Sequence, residues 1–150
     1  MWATTSEHAF AVITTGCSKC NVDPKFDLSK SSSARDSGQV AAEDLVQFSQ
    51  RDLSSNTFTG RYYTERVDFV HMDHETVLNP LMLAVTEARD SFQSAAEGYV
   101  GLAPPYSLRD KQTSILAQAK ESGKIDHMIF ALYTNLDKSV KSNIKFGSYD

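Results

Sequence analysis

A chain of 150 residues that is 41% hydrophobic, 10% aromatic and 23% charged has the profile of one globular domain with a real core. Eight Phe and six Tyr exclude disorder as its overall state. A formal net charge of −4 argues against nucleic acid as a partner, and no apolar run approaches the roughly 20 residues that span a bilayer.

Near the start, Ala9-Phe10-Ala11-Val12-Ile13 is the only apolar stretch, with Glu7 and His8 before it. It is too short and lacks a basic lead, so no signal peptide is expected. Cys17 and Cys20 form a C-x-x-C. Two cysteines are too few for a disulfide scaffold or a four-thiolate zinc site, and no βαβ pattern surrounds them. They read as a local disulfide or two inert thiols.

Ser29 to Gly38 is small and polar, and reads as an exposed loop. Strands dominate the remainder of the chain. Thr57 to Val70 is rich in Thr, aromatic and β-branched residues. Leu81-Met82-Leu83-Ala84-Val85, Gly98-Tyr99-Val100-Gly101-Leu102, Met128 to Tyr133 and Ile144 to Gly147 read as further short strands. One helix is expected, Ser114 to Ser122, with Ile115, Leu116 and Ala119 on its inner face and Gly123 as its stop. The expected core contains Phe69, Leu83, Val85, Val100, Leu102, Ile115, Leu116, Phe130 and Leu132.

Five segments, in order, resemble the amino-terminal lobe of a pepsin-like aspartic peptidase. Asp23-Pro24-Lys25-Phe26-Asp27-Leu28-Ser29-Lys30-Ser31-Ser32-Ser33 is similar to the "FDPSKSST" stretch after the family's first active-site loop. Thr59-Gly60 through Val67 resembles the strand that leaves its flap. Ala96-Glu97-Gly98-Tyr99-Val100-Gly101-Leu102 stands where the family has "FDGILGLG". Ser114 to Ile125, followed by Ile129-Phe130-Ala131-Leu132-Tyr133, is similar to its helix and "FSLYL" strand. Ile144 to Asp150 resembles its "LxFGGxD". Gly16-Cys17-Ser18-Lys19-Cys20 is similar to the cysteine-bearing protist and plant branch, although that branch's preceding Cys falls on Thr14. The resemblance implies a mainly-β lobe of the acid-protease β-barrel type with one or two short helices, over residues 1–150 as a single domain.

The family's reaction needs two carboxylates sharing one proton, one from each lobe, because two like charges about 3 Å apart cannot both ionise. Each Asp sits in an Asp-Thr-Gly loop. Two registers are possible here. In one, Ala11-Val12-Ile13-Thr14-Thr15-Gly16 stands for "VIFDTG", with Thr14 at the Asp position. In the other, which runs without a gap into Asp23-Pro24 and is preferred, Thr4-Thr5-Ser6 stands for Asp-Thr-Gly. In both a hydroxyl replaces the carboxylate, and a Thr hydroxyl is no general base near or below neutral pH. No catalytic residue is therefore assigned. The flap position is held by Phe48-Ser49-Gln50-Arg51-Asp52-Leu53-Ser54-Ser55, without the family's Tyr and Gly; Phe48, Arg51 and Asp52 are the flap-equivalent residues. The resemblance also implies a second lobe with its own Asp, which these residues do not supply.

Rival sites are weaker. His71-Met72-Asp73-His74-Glu75 lacks the i,i+4 spacing of a zincin helix and reads as a solvated turn. Glu43-Asp44 and Asp126-His127 read as exposed charge. Gly98 to Gly101 lacks the Lys and following helix of a phosphate loop, and Arg61, Arg66 and Arg89 are scattered. No metal ion and no cofactor is expected. The resulting expectation is a pseudoenzyme, an aspartic-peptidase-like lobe acting as a structural or protein-binding subunit. The alternative is half of an endopeptidase completed by another chain or by missing sequence. A protein partner or a second copy is expected, on the grounds that Leu81–Val85 and Gly98–Leu102 would leave an apolar seam uncovered; no nucleic acid and no transmembrane segment is. The family is secreted or endomembrane, and the sequence does not fix this chain's compartment.

Overall fold

The computed structural model describes residues 2–4, 10–48, 53–69, 76–94, 97–105, 113–137, 139 and 142–148. Its strands are β1 (Trp2–Thr4), β2 (Phe10–Val22), β3 (Arg35–Phe48), β4 (Leu53–Thr64), β5 (Val67–Phe69), β6 (Thr76–Leu78), β7 (Leu81–Ser94), β8 (Gly98–Gly101), β9 (Phe130–Tyr133) and β10 (Asn143–Phe146). One α-helix, α1 (Ile115–Glu121), and a 3-10 turn at Leu28–Lys30 complete the described elements. The protein is mainly β.

Six strands form one sheet in the order β1-β8-β2-β7-β4-β3, beside the two-stranded ribbons β9–β10 and β5–β6. Among the described residues the six-stranded sheet is open, which corrects the expected barrel. β1 pairs with β8 at one edge and β3 pairs with β4 at the other, with no ladder joining those edges.

The period-2 alternation of the strands separates two apolar clusters. Phe10, Val12 and Met82 join Leu102 and the helix residues Ile115, Leu116 and Ala119 on one face. Ala11, Ile13, Leu83 and Val85 join Phe58, Tyr62, Cys17, Cys20 and Val22 in the other cluster. The apolar runs Leu81–Val85 and Gly98–Leu102 leave no bare seam. Leu83 and Val85 are fully buried, Met82 and Leu102 nearly so, and Leu81, Tyr99 and Val100 pack partly buried against the clusters.

α1 spans the expected stretch. Ser114 caps it by accepting a hydrogen bond from the Ala117 N–H, and Gly123 ends it at φ +69°. Gln118 ties it to the sheet: its Oε1 accepts from Leu81 N–H at 2.6 Å and its Nε2 donates to Leu81 O at 3.2 Å. Gln118→Ala strands both backbone groups of a half-buried residue. It should cost about 1–3 kcal/mol in urea unfolding, whereas Lys120→Ala on the exposed side should cost little.

β2 and β7 run parallel with matched excursions. Ala11↔Leu83 through Ile13↔Val85 and Cys20↔Phe92 through Val22↔Ser94 share one offset. Between them β2 runs longer up to Ser18↔Glu87, and β7 then runs longer up to Cys20↔Phe92. Lys19 adopts φ 58° in this stretch, and a disulfide joins Cys17 to Cys20 across it.

Several expectations are corrected. The long apolar and mixed segments β2 and β3 are strands that composition did not reveal. The Ser29–Gly38 loop is shorter than expected, because β3 starts at Arg35, and Ser31 and Ser33 are only half exposed. The expected strand over Thr57–Val70 breaks at Glu65–Arg66. Leu132 is 55% exposed rather than core. It lies on a ribbon whose other residues, Phe130, Ile144 and Phe146, make the packing contacts. Phe130 and Val100 are partly buried, and the side chain of Phe69 lies outside the described residues.

Candidate functional site

β2 is the central strand through which the site must be read. On one side it pairs with β7; on the other it pairs with β8 up to Val12↔Gly98, and Ile13 N–H then donates to Glu97 O at 2.7 Å. At Thr14 the neighbour changes. Phe26 takes the place of β8, with Phe26 N–H donating to Ile13 O at 2.8 Å and Thr15 N–H to Phe26 O at 3.0 Å.

Thr14 is 4% exposed, and its Oγ1 donates to Val85 O at 2.7 Å. The next two residues, Thr15 and Gly16, are exposed, and the space around the Gly16 Cα is open. The strand thus carries a hydroxyl inward at Thr14 and then presents a Thr-Gly pair to solvent. The Thr14 hydroxyl proton is thus committed to a backbone carbonyl of β7.

Thr4 lies elsewhere. It is the last residue of the edge strand β1, opposite Gly101 at the far end of β8. The structure does not bring the two candidate threonines together.

Asp27 follows Phe26, the residue that replaces β8 beside β2. It caps the 3-10 turn, accepting from Ser29 Oγ at 2.6 Å and Ser29 N–H at 3.1 Å, with Lys30 Nζ at 3.3 Å. The Ser29 hydroxyl, then Lys30, hold its carboxyl below the usual value. Lys25 Nζ donates to Cys17 O at 3.4 Å, and Lys19 Nζ donates to Arg89 O at 3.1 Å.

Of the flap position, Phe48 is the last residue of β3, and Leu53 the first of β4. β3 and β4 pair from Arg35↔Thr64 to Phe48↔Leu53, and the ladder continues outward beyond Phe58↔Ala88, where β4's register with β7 ends. Arg51 and Asp52 lie outside the described residues, as do His71 to Glu75. Glu43 and Asp44 sit in β3, paired with Phe58 and Thr57. Asp126 and His127 are exposed. Arg61 pairs with Asp36 at 2.9 Å and Arg66 with Asp68 at 3.0 Å, both near the surface. Among the described residues no three His, Cys, Asp or Glu converge, and no helix is long and apolar enough to cross a membrane.

Two polar positions escaped sequence reasoning. Gln118 and Glu65 each bond a distant segment, and their own neighbours in sequence give no sign of it. An apolar Leu81 at a strand start and a run of serines were the available hints.

The described residues thus form a mainly-β fold whose central strand β2 exposes Thr15 and Gly16 midway along its length, with the long β3–β4 ladder at one edge of the sheet. The family model for eukaryotic aspartyl protease matches residues 1–150. The chain belongs to that family, and its fold is consistent with one pepsin-like lobe. No curated protein matches it.

Proposed function

We propose that this chain is a non-catalytic aspartic-peptidase-like lobe that serves as a structural or protein-binding subunit. The observation that carries the reading is Thr14. It precedes an exposed Thr15-Gly16, as the family's Asp precedes Thr-Gly, and its hydroxyl is buried and bonded to Val85 O. This favours the register with Thr14 at the carboxylate position over the register with Thr4, which lies on a three-residue edge strand. A binding role draws support from the apolar side chains left in solvent on and after β9: Leu132, Tyr133 at 50% exposure, and Leu136.

The isolated chain should not cleave denatured protein between about pH 3 and pH 7, because hydroxyls cannot replace a proton-sharing carboxylate pair. Cleavage blocked by a statine-type transition-state inhibitor overturns the proposal. Cleavage that arises only on mixing with a chain carrying Asp-Thr-Gly also overturns it, in favour of a half-enzyme completed in trans.

A further inference from the structure

Glu65 lies between β4 and β5, at the root of the β3–β4 hairpin, and is 7% exposed. Its carboxylate accepts three hydrogen bonds. Ser33 Oγ donates to Oε1, Ser31 Oγ donates to Oε2, and Arg66 N–H donates to Oε1 at 2.7 Å. Ser31 Oγ in turn accepts from Ser33 N–H at 3.2 Å and Ala34 N–H at 3.1 Å. With both lone pairs occupied, the Ser31 hydroxyl has only its proton left to give, and Glu65 is where that proton goes. The whole turn before β3 is therefore organised on one buried carboxylate.

The surroundings keep that carboxylate charged. Arg35, at the start of β3, is the cation whose field favours ionisation. The Arg66 guanidinium is turned to Asp68 in solvent, and Asp36 is paired with Arg61. On the β7 side, Glu65 N–H reaches Pro80 O at 3.4 Å, a neighbour without charge.

We propose that Glu65 with Ser31 and Ser33 forms an acid-released latch, whose protonation frees the turn at Ser31–Ala34 and with it the start of the edge strand β3. A neutral acid is a weaker acceptor on both oxygens and brings a proton that the three converging donors leave no good place for. Burial alone raises the Glu65 carboxyl, but the hydrogen bonds from Ser31, Ser33 and Arg66, with the Arg35 charge, together hold it below its ordinary value of 4.5. The sign follows. A carboxylate depressed in the folded state stabilises the latch above the ordinary range and loses that contribution as pH falls through the folded value. The latch is closed at neutral pH and opens below 4.5.

Hydrogen exchange at the Ser33 and Ala34 amides tests this, with protection factors corrected for intrinsic rates from about pH 7 down to about pH 3. Protection in the wild-type chain should fall about tenfold or more across an acid step while core amides such as Leu83 stay protected. In Glu65→Gln that protection should already be lost at pH 7, with no step. Ser33→Ala, which keeps the carboxylate but removes one donor, should move the step to higher pH. Unchanged wild-type protection across the range overturns the latch. So does a step in Ser33→Ala at the wild-type pH, or wild-type protection at pH 7 in Glu65→Gln.

Discussion

Thr14→Asp is expected to destabilise the lobe by about 3–5 kcal/mol at neutral pH, although it would place an Asp directly before Thr15-Gly16. The side chain is 4% exposed and its hydroxyl donates to Val85 O at 2.7 Å. A carboxylate there turns a donor into an acceptor facing a carbonyl oxygen, and it leaves a charge buried without a partner. Burial raises the folded-state pKa of such an acid above its unfolded value of about 3.9. The penalty is therefore fully present at neutral pH and shrinks as pH falls towards about 4, where the neutral acid can donate to Val85 O. Urea unfolding at the two pH values checks this. Thr14→Val is the comparison: it should cost about 1–2 kcal/mol, by the same amount at both. A Thr14→Asp variant as stable as wild type at neutral pH would show that the position is open to solvent or to a counter-charge.

Gly60→Ala is the other large effect, expected at or above about 3 kcal/mol. A Cβ on Gly60 falls 2.1 Å from Ala84 O and 3.1 Å from Val85 Cα. Both are backbone atoms of β7 in the middle of the sheet, at the point where the β4–β7 register shifts between Thr59 and Gly60. Neither can swing aside as a flexible side chain would. The strands must separate, and the ladder on either side must follow. Gly16→Ala is the natural control, since open space surrounds that Cα and its cost should stay within about 0.5 kcal/mol. Thermal melts of the pair distinguish close approach from a general intolerance of alanine. Equal melting temperatures for the two variants would count against it.

The parts of the fold that the sequence announces are those where one local rule dominates. α1 has a capping Ser114, an apolar stripe and Gly123, so composition and spacing agree and the helix falls where expected. Leu83, Val85 and Leu102 are buried because short apolar runs in strands have nowhere else to go. β3 was hidden for the opposite reason. Its residues mix charge, glycine and small side chains, and it exists as a strand through its pairing with β4, a long-range fact that no window of sequence contains. Leu132 misled because alternation identifies a face without saying whether anything lies against it. At the candidate site, that a hydroxyl and not a carboxylate precedes Thr15-Gly16 was legible from residue identity alone. That Thr14 is sealed beneath the surface while Thr15 and Gly16 stand clear of it depends on Phe26 replacing β8 as the neighbour of β2, which only the assembled sheet reveals.

The matched excursions of β2 and β7 make the length of each strand a property of the other. Because Val22↔Ser94 returns to the offset of Ala11↔Leu83, the outer ladder is in step only while the two detours cancel. A single inserted or deleted residue in either detour would move the outer partners by one, and in a sheet of period two that turns Cys20 and Val22 from the buried face to the open one. Length changes in this part of the chain can therefore persist only as compensating pairs, one in each strand, far apart in sequence. The Cys17–Cys20 disulfide adds to the constraint, since it ties together the residues on either side of Ser18, where the β2 detour gives way to the β7 detour.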